Sequence, residues 1–300
     1  MQFILRSVSM IAVIGLCSTG MANAQSRLIS FTADGQLAAG GTDQTPGADI
    51  FLFGNATARL SLKNTPLGFE LGVYGLANAV DTPHETYGTF TWNFANGEKL
   101  YLGVPRPAYD SFAISAVDTL FPSLGVSNTA ATRSQATFGA MFAGYLPYGI
   151  RFENDTNKLR YAATLETVPN RDLTIASFGF GVPIGGLMLQ SAVEMSWGAN
   201  KETSGKVQLT GAVGRVDGGL GLYLGGTSGR SDVLEAFASF DPTEKITLAG
   251  VVQISLTGPD DLTAGVSAHY ALSPAIGLSA GVLSDAGTAA AYSVLLNWTF

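Results

Sequence analysis

The chain has 300 residues, 46% hydrophobic but only 13% charged, with 37 glycines and a formal net charge of −7. The charged share is about half the usual one, and an acidic chain lacks the basic surface that nucleic acid requires. Frequent Gly and Pro, with apolar residues that alternate rather than run together, exclude a helical bundle.

The first segment, MQFILRSVSMIAVIGLCSTGMANAQS, carries one positive charge at Arg6, an apolar run from Met10 to Cys17, and small residues through Ala22-Asn23-Ala24. This pattern predicts a secretory signal peptide over 1–24. The apolar run is shorter than the roughly 20 residues that cross a bilayer as a helix. The only cysteine, Cys17, lies within it, so residues 25–300 hold none despite export to a disulfide-permissive compartment. Without Arg6 the remainder has 15 basic against 23 acidic residues, a net charge of −8.

Beyond the signal, alternation recurs. In NATARLSLKN, Ala56, Ala58, Leu60 and Leu62 share one face, and Thr57, Arg59, Ser61 and Lys63 the other. GFELGVYG, ETYGTFTWNF and KLYLGV continue the pattern, placing Phe90, Trp92 and Phe94 on an apolar face. Five strands are predicted first: 27–40, 50–63, 68–79, 85–95 and 98–105. The stretch 105–133 then breaks the rhythm, with Phe112, Ala116 and Leu120 spaced by four, which suggests a short helix in a long loop. Its aromatic and aliphatic side chains need a surface to pack on, and irregular backbone is tolerated inside a barrel. The loop is therefore expected to fold inward. A sixth strand is assigned to 135–148. Ten more follow: 158–167, 173–182, 187–197, 205–215, 219–227, 232–241, 244–256, 261–271, 275–284 and 289–300. FDPTEK and ALSPAI are read as tight turns set by their prolines.

An apolar face and a polar opposite face on nearly every strand, with no spanning helix, predict an all-β transmembrane antiparallel barrel of 16 strands with a long inward-folded third loop. Arg59 and Arg160 have inward parity, as they must, since a basic side chain facing mid-bilayer lipid costs about 2–4 kcal/mol. Phe90, Trp92, Phe94, Tyr270, Trp298 and Phe300 read as lipid-facing or interfacial aromatics.

YLGVPRPAYDS, RFENDTNKLRYAATL and the final LLNWTF together resemble the Gram-negative general porins of alphaproteobacteria, over the whole of 25–300. They match, in turn, the end of the fifth strand with the start of a constriction loop, the segment that re-enters the wall, and an assembly signal ending in phenylalanine. The family pattern puts re-entry at RFENDTNKLRY, where parity alone reads ENDTNK as a turn. The resemblance implies acidic residues on the loop opposite basic residues on the wall. Here the loop residues are Arg106, Tyr109, Asp110 and Asp118, and the wall residues Arg59, Lys63 and Arg160, with Arg133 at the loop's far end. Tyr109 and Phe112 are expected to pack the loop down rather than touch solute. Trp298 and Phe300 carry the assembly signal. The implied function is passive diffusion of small hydrophilic solutes and ions across the outer membrane, weakly cation-preferring, by a homotrimer set in outer-membrane lipid by the barrel assembly machinery.

Two alternatives stand beside it. An outer-membrane barrel hydrolase needs a nucleophile with a histidine base. Only His84 and His269 exist, and there is no HExxH. A plugged structural or adhesive barrel would bury many charged pairs, and this lumen offers few charges to pair. ENDTN is oxygen-rich but lacks the spacing of the twelve-residue calcium loop, so no metal and no cofactor is predicted.

Overall fold

The computed structural model describes residues 28–43, 50–78, 84–121, 132–156, 158–198, 201–226, 231–257, 262–284 and 290–300. The predicted signal peptide lies outside them.

Sixteen antiparallel strands close into one barrel. They are β1 Ile29–Thr42, β2 Ile50–Leu62, β3 Leu67–Asn78, β4 His84–Asn93, β5 Glu98–Val104, β6 Tyr148–Asp155, β7 Arg160–Val168 and β8 Leu173–Ile184. The second half comprises β9 Leu187–Trp197, β10 Glu202–Val213, β11 Val216–Leu224, β12 Val233–Thr243, β13 Ile246–Ser255, β14 Leu262–Ala271, β15 Ile276–Ser284 and β16 Ala291–Thr299. Every strand pairs with its sequence neighbour, and β16 returns to β1, from Gln36 opposite Thr299 to Thr42 opposite Ser293. Gly35 and Phe300 exchange both backbone hydrogen bonds at 3.1 Å. Strand edges are thereby removed, which is what allows such a sheet to sit in a medium that cannot hydrogen-bond to it.

The period-two pattern decides which way each strand faces. On β13, Leu248, Val252 and Ile254 are exposed on the outside while Gln253 is buried inside. Phe90, Trp92, Phe94 and Tyr270 are exposed on the same outer belt. Trp298 stacks on Phe300 at 5.0 Å, and Phe300 packs beside Ala33, Ala58 and Leu71 against the cluster of Ala56 and Val73 on β2 and β3.

Three expectations change. Residues 135–148 are not a strand: Gln135–Ala140 form a π-helical stretch continued by a short 3₁₀ turn, Met141–Ala143. The Ser134 hydroxyl caps the start by accepting from Ala136 N at 3.0 Å, and Gly144 ends it in the left-handed region at φ 81°. Ala136 and Ala140, four apart, face the wall beside Val168 and Ile175. The sixth strand is instead Tyr148–Asp155, so RFEND re-enters the wall as the family pattern implied. The turn that parity read at ENDTNK is overturned in its first half, since Glu153, Asn154 and Asp155 pair with β7 as part of this strand. The described residues of the inward loop are accordingly 105–121 and 132–147. Pro242 also sits differently: it lies in an irregular step of β12 where register shifts between Phe240 and Thr243, and the tight turn follows at Glu244-Lys245.

Candidate functional site: an internal loop and the gap beside it

The loop leaves β5 at Pro105, crosses the lumen and packs on the wall of β7 to β15. Glycines make the wall receptive. Phe112 lies over Gly179 and Gly181 of β8, where a Cβ at Gly179 would come within 2.4 Å of its ring. Phe121 lies over Gly265 of β14 and Gly281 of β15, where added Cβ atoms would meet its ring at 2.7 and 2.9 Å. Tyr109, wholly buried with Ala108 and Phe112 against Ala162 and Ala192, donates its backbone N–H to Ser177 at 3.2 Å.

Wall carboxylates hold the loop's backbone. Glu235 of β12 accepts from Ser115 Oγ at 2.6 Å and from Ala116 N at 2.9 Å, at the start of the loop helix α1, Ala116–Leu120. Tyr223 and Gln253 also donate to it, at 3.0 and 2.8 Å. An anion at a helix N-terminus is favourable, and here it satisfies an otherwise orphaned N–H. Glu194 of β9 accepts from Ser134 Oγ and from Gln135 N. Glu85 of β4 accepts from Arg133 at 3.0 Å and from the Tyr87 hydroxyl. On β6, Arg151 reaches Arg106 O at 2.8 Å and Ser111 Oγ at 2.9 Å, and pairs with Glu153 at 2.8 Å.

The predicted loop residues are thus placed. Asp110 is buried and binds the returning limb, accepting from Ser134 N at 2.7 Å and Thr137 Oγ1 at 2.5 Å. Asp118 accepts from Thr132 Oγ1 at 3.0 Å and lies 3.5 Å from Arg133 Nε. Burial raises the Asp118 carboxyl above its ordinary pKa, with Arg133 acting against the rise. Arg106 is half-buried, its guanidinium 6.0 Å from the Tyr87 ring centroid. Arg133 lies over Tyr74 at 4.4 Å and bridges Glu85 and Asp118.

The predicted wall bases stand elsewhere. Arg59 lies near the end of β2 that carries the short turns, paired with Asp34 and, at 2.9 Å, with Glu70. Lys63 is exposed in the turn after β2, its backbone N–H bonded to Leu28 O at 2.9 Å. Arg160 pairs with Asp155 beside the β6–β7 turn at 2.7 Å and lies 5.8 Å from the Phe112 ring. None of the three lines the opening described next.

That opening is a gap of about 140 Å³ between the loop and the inner face of β1 to β3. Gln36, Asn55 and Tyr74 form its wall side; Arg106, Asp118 and Thr119 face them from the loop. Lys206 of β10 also borders it, donating to Thr132 O at 2.9 Å and lying 4.4 Å from the Tyr109 ring. Sequence reasoning missed Glu85, Arg151, Glu194, Lys206 and Glu235. The available signal was an ionisable residue inside an alternating strand at inward parity, the position where a membrane barrel reserves charge for function or structure. The lumen also buries more charge than expected: six carboxylates and three bases among the described residues. His269 contacts Ser279 at 2.9 Å, but Ser279 also accepts from Asn297 at 2.7 Å, and Asn297 from Gln36 at 3.2 Å, so the pair belongs to a polar ladder across four strands.

No protein-family model matches the chain, and no curated protein does. Among solved structures it is similar to a triple mutant of the Rhodopseudomonas blastica porin, at 15% identity and a TM-score of 0.69, covering 90% of this chain and 100% of that one. A second mutant of that porin gives the same values. A structure titled "Asymmetric conductivity of engineered proteins" matches at 13% identity and a TM-score of 0.65, with the same coverage. In architecture the chain is therefore a porin-type barrel, closed by sixteen strands around an inward-folded third loop.

Proposed function

We propose that the protein is a passive, water-filled channel for small hydrophilic solutes and ions in the outer membrane of a Gram-negative bacterium. The observation that carries this reading is the loop pinned across a closed barrel with a gap left on one side. Such a partition sorts solutes by size and contact. The apolar outer belt suits lipid, and the porin-type fold, with one neighbour titled for conductivity, agrees with conduction. Residues 1–24 act as the export signal, Trp298 and Phe300 as the signal read by the assembly machinery, and the working unit is a homotrimer.

The channel prefers cations weakly. The net charge of −8 over residues 25–300 supports this, since an acidic barrel concentrates cations near its entrance. Asp110 and Asp118 contribute to that charge, and Arg59, Lys63 and Arg160 set the potential near the turn end of the pore. Purified full-length protein in planar bilayers tests the reading: stable conductance steps in potassium chloride support it, and their absence from a folded preparation contradicts it.

A further inference from the structure

The gap presents neutral groups, although much of its rim is charged. Asp110, Asp118, Arg133 and Lys206 border it, yet each is at most 6% exposed and is held by the contacts described above. Asn55 and Thr119 are exposed, and Gln36 and Tyr74 are half-buried; Arg106 is the only charged side chain on the rim that is more than marginally open.

The neutral wall groups are ordered by register. Gln36 of β1 lies directly opposite Asn55 of β2, and Asn55 directly opposite Tyr74 of β3. Two amides and a phenol therefore stand in one row across three strands, about 5 Å apart. Among the described residues the Asn55 amide and the Tyr74 hydroxyl make no hydrogen bond within the protein. Tyr74 is held by Phe53 at 5.4 Å, edge to face, and by the Arg133 guanidinium over its ring. The row is rigid on its protein side and unsatisfied on its open side. Below it, Gln36 joins the ladder through Asn297 and Ser279 to His269, another run of uncharged donors and acceptors.

Resting on the channel reading, the geometry points to a contact site for neutral, hydroxyl-rich solutes of the sugar or polyol class, with Gln36, Asn55 and Tyr74 as its specificity-determining row. In a gap of this size a solute sheds water against both sides. A neutral hydroxylated molecule replaces those lost bonds with the row's donors and acceptors. An ion finds no open countercharge on the wall side, and a solute with few hydroxyls leaves the row unpaired.

The test uses the full chain in planar bilayers, recording potassium chloride conductance while maltotriose or a polyethylene glycol of matched hydrodynamic size is added. Maltotriose is expected to reduce the current at several-fold lower concentration than the polymer. Asn55→Ala and Tyr74→Phe should each raise the maltotriose concentration needed by about fivefold, the worth of one hydrogen bond, with the polymer response unchanged. Tyr74→Phe keeps the ring packed on Phe53 and under Arg133, so it separates the hydroxyl from the fold. Equal action by sugar and polymer, with intact steps and no effect of either variant, overturns the inference and leaves the channel reading standing. Tighter action by a sugar acid, abolished by Arg106→Gln, overturns it in favour of an anion site. Absent conductance removes both readings.

Discussion

Glu235, on a wall strand, and Ser115, at the start of the loop's helix, meet at 2.6 Å with both side chains buried. The same carboxylate holds the helix's first backbone N–H, so one wall residue sets where the loop's only α-helix stands among the described residues. We expect Glu235→Ala to leave the barrel closed but to unfasten α1. Each bond lost to this charged group is worth about 1.5–3 kcal/mol. Single-channel recordings should show larger, noisier steps; unchanged step size and noise would mean the loop is held without it.

The glycine seats give a second prediction. Gly265→Val pushes side-chain atoms into the space of the Phe121 ring, which has no room to yield toward the wall. Overpacking of this kind costs about 1–3 kcal/mol. Displaced, Phe121 moves α1 toward the gap, and conductance should fall. The pair Gly265→Val with Phe121→Ala should restore it. A fall that the second substitution does not relieve would place the cause outside this contact.

Arg133 neutralises two buried carboxylates, Glu85 and Asp118. Arg133→Gln removes the ion-pair partner of both and should cost about 3–5 kcal/mol of barrel stability at neutral pH. Asp118→Asn should cost much less. Its carboxyl pKa is raised by burial, so folding favours the neutral form, and that contribution is present at acid pH and lost as pH rises through the raised value. Heat-unfolding of the purified barrel in detergent should therefore show Arg133→Gln recovering part of its loss on acidification. A loss independent of pH would mean that the cost is packing over Tyr74, not charge.

How far these residues could be read beforehand depends on what each contact needs. The outer wall was legible because lipid imposes parity locally: Leu248, Val252 and Ile254 need no partner to identify their side. The loop's inward course was legible because Phe112 and Phe121 need cover. What held it was not, since Glu235 meets Ser115 across 120 positions of sequence, and no local pattern encodes that. The error at 135–148 had a local remedy, in Ser134 as a cap and Gly144 as a terminator. Arg59 stands near the turn end of β2 and Lys63 in the turn itself, because alternation gives the face of a residue and says nothing of its depth along the pore.

Phe300 closes β16 on β1 through Gly35 and packs beside Ala33 and Leu71 on the outer wall. Deleting it removes two backbone bonds and that packing at the seam. The fraction migrating as folded, heat-resistant protein on an unboiled gel should drop. Equal folded fractions would count against a role for this residue in assembly.

The central claim is a water-filled passage beside a fixed internal loop, and conductance with reversal potentials across a salt gradient tests it most directly. The account predicts stable steps and a weak cation preference that fades with added salt, as the screening length shrinks from about 10 Å at 0.1 M to about 3 Å at 1 M. Anion preference would contradict the charge assignment. A folded, membrane-inserted barrel that passes no current would contradict the channel itself.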